Sequence, residues 1–298
     1  MKKFLLWTLA FIITLCAAYY QRKTGPTYPK RVSVIINNTL CELKLTRSIS
    51  LTEPPEIKLN IRDTSVKAVA WYKRFKSEDE YQPIAFNYKV YPVHSFVMNR
   101  IFRMTEEKGL FADMPVQPAA GKLQYYVEIT DSKGTQTLFK EEPVIIRFKG
   151  AVPGYILGPH ILIMFIAMFL STAAGLLALA KIPSFKKYGV WTLGLLIAGG
   201  AILGPLVQKY AFGELWTGIP FGWDLTDNKT LIALIFWIIA VIMNRKKERP
   251  LYTVLAAFVL LLIYSIPHSF FGSELNYATG QVSQGLFFAF FIGIKKNS

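Results

Sequence analysis

The chain has 298 residues, of which 52% are hydrophobic and 18% charged, and its formal net charge is +15. A mean hydropathy of +0.33 argues against a wholly water-exposed globule and fits a membrane protein with a polar portion. The positive charge does not mark a nucleic-acid partner. No basic element interleaved with aromatics occurs, and the excess sits in short clusters beside apolar runs: Lys2 and Lys3, Lys181 with Lys186 and Lys187, Arg245 to Arg249, Lys295 and Lys296.

Residues 1–20 begin with two lysines and continue apolar to Ala18, which reads as a signal anchor or a signal peptide with small residues at Cys16, Ala17 and Ala18. Leu15 stands where a lipoprotein box needs a small residue. Cys41 is the second cysteine. With Cys16 inside the apolar run, no intrachain disulfide is expected.

Residues 21–150 hold most of the acidic residues and read as short strands. Period-2 alternation or β-rich composition marks 31–37, 41–46, 56–62, 67–75, 84–91, 96–104, 122–130, 135–140 and 143–149, with turn-rich breaks at Glu53 to Pro55, Gln117 to Gly121 and Asp131 to Gly134. That spacing predicts an antiparallel β-sandwich. The run from Leu123 to Thr135 resembles the penultimate strand and following hairpin of immunoglobulin-like and fibronectin type III modules. The resemblance implies a core tryptophan at Trp71. His94 is expected to be a surface histidine.

After Pro153 and Gly154 the period changes to that of helices. Spans are expected at about 155–180, 190–207, 230–243 and 251–266, with a possible short sixth at 279–294. Gly194, Ala198, Gly200 and Gly204 recur at spacings suited to close helix approach, which places the second of these spans centrally. With the N-terminus cytoplasmic, every basic cluster falls inside. Residues 21–150, the loop 209–230 and residues 267–280 then fall outside. The fold class is therefore a multi-domain membrane protein: an extracytoplasmic β-sandwich, a helical membrane domain over 151–298, and five to six spans in all.

Tyr20 to Pro29, the loop 209–230 and Ile266 to Leu275 together resemble a family of uncharacterised bacterial inner-membrane proteins. The resemblance implies the same plan throughout, with a periplasmic β domain and a small bundle in the cytoplasmic membrane. It brings no activity with it.

Candidate chemistry gathers on the predicted outer face: His160, Glu214, Asp224, Asp227, His268 and Glu274. Trp216 and Trp223 suit a membrane–water boundary. Thr226, Asp227 or Asn228 can cap the helix that follows, and Lys229 can reach outward to the interface. His160, Met164 and Met168 lie four apart, so copper ligation, or a haem between His160 and His268, is a conceivable metal site. A single outer pocket is expected to unite the two histidines with a loop carboxylate. No HExxH, CxxC, GxSxG or phosphate-loop pattern is present. Two functional readings follow. The first is a non-enzymatic envelope protein whose β domain and 209–230 loop bind a membrane or periplasmic protein partner in the lipid bilayer. The second is a membrane redox or metal-handling protein.

Overall fold

The computed structural model describes residues 1–93, 96–267, 274–280 and 282–283. It divides into two compact units: one joins the N-terminal helix to the chain from Ala151 onward, and the other joins Thr27–Gly150 to a short stretch beginning at Leu275.

The second unit is built of strands. These are β1 (Lys30–Ile36), β2 (Thr39–Leu45), β3 (Ser48–Ser50), β4 (Glu56–Leu59), β5 (Lys67–Arg74), β6 (Gln82–Ala85), β7 (Asn87–Pro92), β8 (Glu106–Asp113), β9 (Lys122–Asp131), β10 (Gly134–Leu138) and β11 (Val144–Lys149). One sheet runs β3-β11-β9-β5-β6, a second runs β4-β8-β7, and β1 pairs with β2 alone. Strand β9 pairs β5 over Leu123–Thr130 on one edge, so β11 (at Lys122–Tyr125) and β10 (at Val127–Asp131) share the other. All ladders are antiparallel except β3 with β11, which the sequence reading did not anticipate.

The alternation of β9 is strict where it matters. Leu123, Tyr125, Val127 and Ile129 are buried, in one core with Leu43 of β2, Ile57 of β4, Leu110 of β8 and Ile146 of β11. Each such side chain contributes about 1.5–3 kcal/mol by leaving water. The Tyr125 hydroxyl, buried among them, donates to Thr46 O at 2.9 Å.

Two expectations fail here for identifiable reasons. Residues 96–104 are not a strand: Phe96–Arg100 is a short helix, α2. The strand is β8, whose Glu106-Glu107-Lys108 start shows no apolar alternation. Its outward neighbours are charges instead. Lys58 pairs with Glu107, and Lys89 Nζ lies 2.5 Å from Glu56 and 3.2 Å from Asp113. Cross-strand ion pairs substitute for the missing pattern. Trp71 is not a core residue either. Ala68 and Ala70 face the core, so Trp71 lies on the outer face, its ring parallel to Tyr126 (centroids 6.2 Å, 11°) and its indole N–H donating to Glu128 Oε2 at 2.8 Å.

The β1–β2 hairpin closes on Asn37 and Asn38, both with positive φ (46° and 65°), the backbone a two-residue hairpin loop of this kind requires. Asn37 then ties three segments together. Its N–H donates to Asp131 Oδ2 (2.9 Å), its amide donates to Asp63 Oδ2 (2.7 Å), and its carbonyl oxygen accepts from Ser132 Oγ (2.7 Å). The N–H bonds from Asn37 and Lys133 hold Asp131 below the usual carboxylate range; bonds from Ser65 and then Asn37 do so for Asp63. A depressed folded-state pKa contributes stability above the unfolded value, about 3.9, and the contribution disappears as pH falls through the folded value. Urea midpoints of the full chain should therefore drop steeply below about pH 4, and Asp131→Asn should flatten that acid limb. An unchanged limb would remove Asp131 from the account.

Leu275 N donates to Ala120 O at 3.0 Å, while the Tyr277 hydroxyl donates to Lys122 O (2.8 Å) and accepts from Lys122 N (2.9 Å). The chain thus comes back to the β unit at Leu275 and Tyr277.

The first unit is helical. Among the described residues, four helices are long and apolar enough to cross a bilayer: α1 (Lys2–Thr24), α3 (Gly154–Leu179), the composite Phe185–Phe212, and α6 (Leu225–Met243). The shorter α7 (Pro250–Ser265) is also apolar. The composite consists of α4 (Phe185–Leu195), an eight-residue π-helical segment (Leu196–Leu203) and α5 (Gly204–Phe212). It outruns the expected 190–207 at both ends, and α6 starts five residues before the expected 230. The possible span at 279–294 lies, beyond Ser283, outside the described residues. The bundle core is small-residue packing around one large ring: Ala167, Ala174, Ala233, Ala256 and Leu260 surround Trp237. A Cβ on Gly175 would stand 2.6 Å from Ala257 Cβ, so α3 and α7 meet at a point where only glycine fits. Helix α1 joins through Trp7, whose ring meets Phe169 (5.3 Å) and Tyr188 (4.8 Å) edge-on.

Candidate functional site

The polar end of the helical unit is organised by four positions at the start of α6, Asp224, Asp227, Asn228 and Lys229. Helix α5 stops at Gly213, whose left-handed backbone (φ 96°) lets its N–H return to Lys209 O at 2.8 Å. The cap of α6 is Asp224, one residue outside the helix, accepting from Thr226 N (2.8 Å) and Asp227 N (3.1 Å). Thr226, Asp227 and Asn228 are thus not the caps, though the sequence pointed to them. Burial holds the Asp224 carboxyl above its ordinary range, opposed by the N–H bonds it accepts.

Asp227, 4% exposed, reaches the loop instead. Its Oδ2 accepts from Thr217 N (2.5 Å), Gly218 N (3.0 Å), Gln208 Nε2 (3.1 Å) and Thr217 Oγ1 (3.2 Å). Asn228 Oδ1 accepts from Ile219 N at 2.8 Å. Gly218 is what lets the loop lie so near. A Cβ there would be 2.6 Å from Asp227 Cβ and 2.8 Å from Asn228 Oδ1. Lys229 does not extend outward as expected. It is buried, and its ammonium donates to Ile266 O at the end of α7 (2.9 Å), joining the α6 start to the α7 finish.

The other predicted residues are dispersed around this frame. Glu214 is exposed, Trp216 is half-buried and donates to Ile219 O (3.1 Å), and Trp223 is exposed beside Phe221. Glu274 is half-buried. His268 lies outside the described residues, as does His94. His160, near the start of α3, has one polar partner among the described residues: its Nδ1 is 2.9 Å from Gly199 O in the π-helical segment. Met164, one turn further, packs on that same segment. A Cβ on Gly199 would be 2.8 Å from Met164 Sδ, and one on Gly200 would be 2.8 Å from Thr230 Cγ2 of α6. The geometry engages Asp224 with the first turn of α6, Asp227 with loop backbone and His160 with Gly199. No hydrogen bond or ion pair links His160 to Asp224, Asp227 or Glu214. Among the described residues, no group of three or more His, Cys, Asp or Glu could hold a metal ion.

Sequence reasoning missed Gln208 and Thr217, whose side chains complete the Asp227 cluster, because nothing in their spacing distinguishes them from any polar residue near a helix end. It also missed Asn244, which donates to Ala240 O (2.8 Å) and Thr253 Oγ1 (3.2 Å) and accepts from Arg249 N (2.7 Å), closing the α6–α7 turn.

Comparison with models of protein families, with curated proteins and with solved structures finds no match to this chain. What fold and site define is a two-part chain: a β-sheet unit, and apolar helices suited to a membrane with a loop bolted to the start of one of them.

Proposed function

We propose that the protein is a non-enzymatic component of the bacterial cytoplasmic membrane, with its N-terminus inside and an immunoglobulin-like β unit in the periplasm that binds a protein partner. The observation that carries the reading is an exposed apolar and basic prominence on the β unit. Ile101 (68% exposed) and Phe102 (65%) project there with Met98 and Met104, between Arg100 and Arg103. Such clustered exposure on a polar unit marks an interaction surface.

Orientation is supported by charge and by connectivity. Contact of Trp7 with Tyr188, and of Lys186 with Glu248 (3.4 Å), gathers Lys2, Lys3, Lys186, Lys187 and the Arg245–Arg249 run at one end of the bundle, as the cytoplasmic side favours. The chain leaves the β unit near Gly150 and returns to it at Leu275, which requires an even number of crossings between. Helices α3, Phe185–Phe212, α6 and α7 supply four, making five with α1. The immunoglobulin-like reading is supported by β9 flanked by β5 and by β10 with β11, and by β3 running parallel to β11 on the edge. The loop 213–224 serves as scaffold, because the buried carboxylate of Asp227 holds its backbone.

A photoreactive residue at Phe102 should give one discrete protein adduct in cells, and one at Lys44 should give none. Reporter fusions after Tyr20 and Thr217 should read outside, and those after Lys187 and Lys247 inside. Adducts to lipid alone would overturn the partner reading; one reversed reporter would overturn the orientation.

A further inference from the structure

A cavity of about 430 Å³ opens between α4, α6 and the start of α7, at the end of the helical unit where the basic clusters lie. Its size is within the range of small-molecule sites, about 300–1,000 Å³. Burial orders its lining. Lys187 and Arg245 are exposed at the mouth and Lys186 is half-buried, whereas Gly189, Ala240 and Trp237 are buried at the floor. The mouth is cationic beyond its own neutralisation. Glu248 lies 3.4 Å from Lys186, but Lys187 and Arg245 have no carboxylate partner among the described residues.

The floor is largely apolar. Ala240 and the ring of Trp237 are buried there, and the two polar residues beside them, Asn244 and Thr253, are bonded to each other at 3.2 Å. A ligand that suits this cavity therefore carries an anion to the mouth and an apolar body to the floor.

We propose that the cavity is a binding site for an anionic glycerophospholipid, its phosphate held by Lys186, Lys187 and Arg245 and its glycerol and first methylenes lying over Ala240 and Val241. Basic pockets between helices at the cytoplasmic side take such headgroups by charge, while the glycerol and first methylenes match the apolar interior. The site rests on the reading of α4 and α6 as membrane-embedded, and not on which side of the membrane they end.

The test is native mass spectrometry of the full chain released from nanodiscs that contain equal phosphatidylglycerol and phosphatidylcholine. Wild type should retain phosphatidylglycerol preferentially. The double variant Lys187→Gln with Arg245→Gln should lose that preference by about tenfold. Lys2→Gln with Lys3→Gln, equal in charge but away from the cavity, should keep it. Equal retention of the two lipids, or equal loss in both double variants, overturns the site. Displacement of the lipid by millimolar inorganic phosphate would identify a small-anion site and also overturn it. Reversed reporter fusions with selective retention intact would overturn the orientation and leave the cavity standing.

Discussion

Asp227→Ala should lower the thermal midpoint of the full chain in detergent by about 10 °C. The carboxylate is 4% exposed, and its removal leaves Thr217 N, Gly218 N and the Gln208 amide without their acceptor. Each buried donor so orphaned costs about 1–3 kcal/mol, which sums to about 3–5 kcal/mol if part of the loop relaxes into water. A chain with a unit of this size moves by about 2–4 °C per kcal/mol. Asn228→Ala removes a single bond, to Ile219 N, and should move the midpoint by about a quarter as much. Glu214→Gln, on an exposed side chain, should move it hardly at all. If Asp227→Ala melts like wild type, the carboxylate does not hold the loop, and its burial has some other cause.

The second large effect is steric. Gly175→Val should destabilise by about 3 kcal/mol or more, beyond the usual range for overpacking. A Cβ at 175 would lie 2.6 Å from Ala257 Cβ, and neither atom can rotate away, so α3 and α7 must separate. Gly199→Val should cost less, about 1–3 kcal/mol, because one of its obstacles is the flexible Met164. Gly194→Val should be neutral, since a Cβ there meets nothing within 4 Å. Thermal unfolding of the three variants side by side checks the order. Equal destabilisation at 175 and 194 would mean that these helices pack differently.

That order also shows what the sequence could and could not disclose. The recurrence of small residues at 194, 198, 200 and 204 pointed to the composite helix as central, whereas α3 is the more enclosed of the two, and of those positions Gly200 makes a close approach while Gly194 does not. The close approaches are at Gly199 and Gly200, adjacent positions that a regular helix points about 100° apart. Long apolar helices were legible, because a bilayer-length run of apolar residues has few other uses. The start of α6 was not. Leu225 to Lys229 is polar enough to read as loop, and it is helix because Asp224, Asp227, Asn228 and Lys229 all find buried partners. In the β unit, β9 announced itself by alternation, whereas β8 starts with charges that pair across strands and carry no period. Trp71 was misplaced because Ala68, Val69, Ala70 and Trp71 are apolar on both faces of β5, and alternation alone cannot say which face is inward. Of the candidate site, the bonds of Asp227 to Thr217, Gly218 and Gln208 were not legible, because no spacing encodes them.

The π-helical segment has a consequence for how the composite helix tolerates change in length. Over Leu196–Leu203 the backbone closes five residues back, as in the bond from Gly204 N to Gly199 O, so each turn holds more chain than an ordinary helical turn. Deleting one residue there could be absorbed by a return to the common pitch, with no break in the rod. The same deletion at Pro205 or Leu206, where the pitch is already the common one, would rotate everything beyond by about 100° about the axis, carrying Gln208 away from Thr217 and Asp227 and turning a different face of α5 toward the loop. The number of residues in α5, independently of their identity, therefore sets the angle at which the loop meets α6.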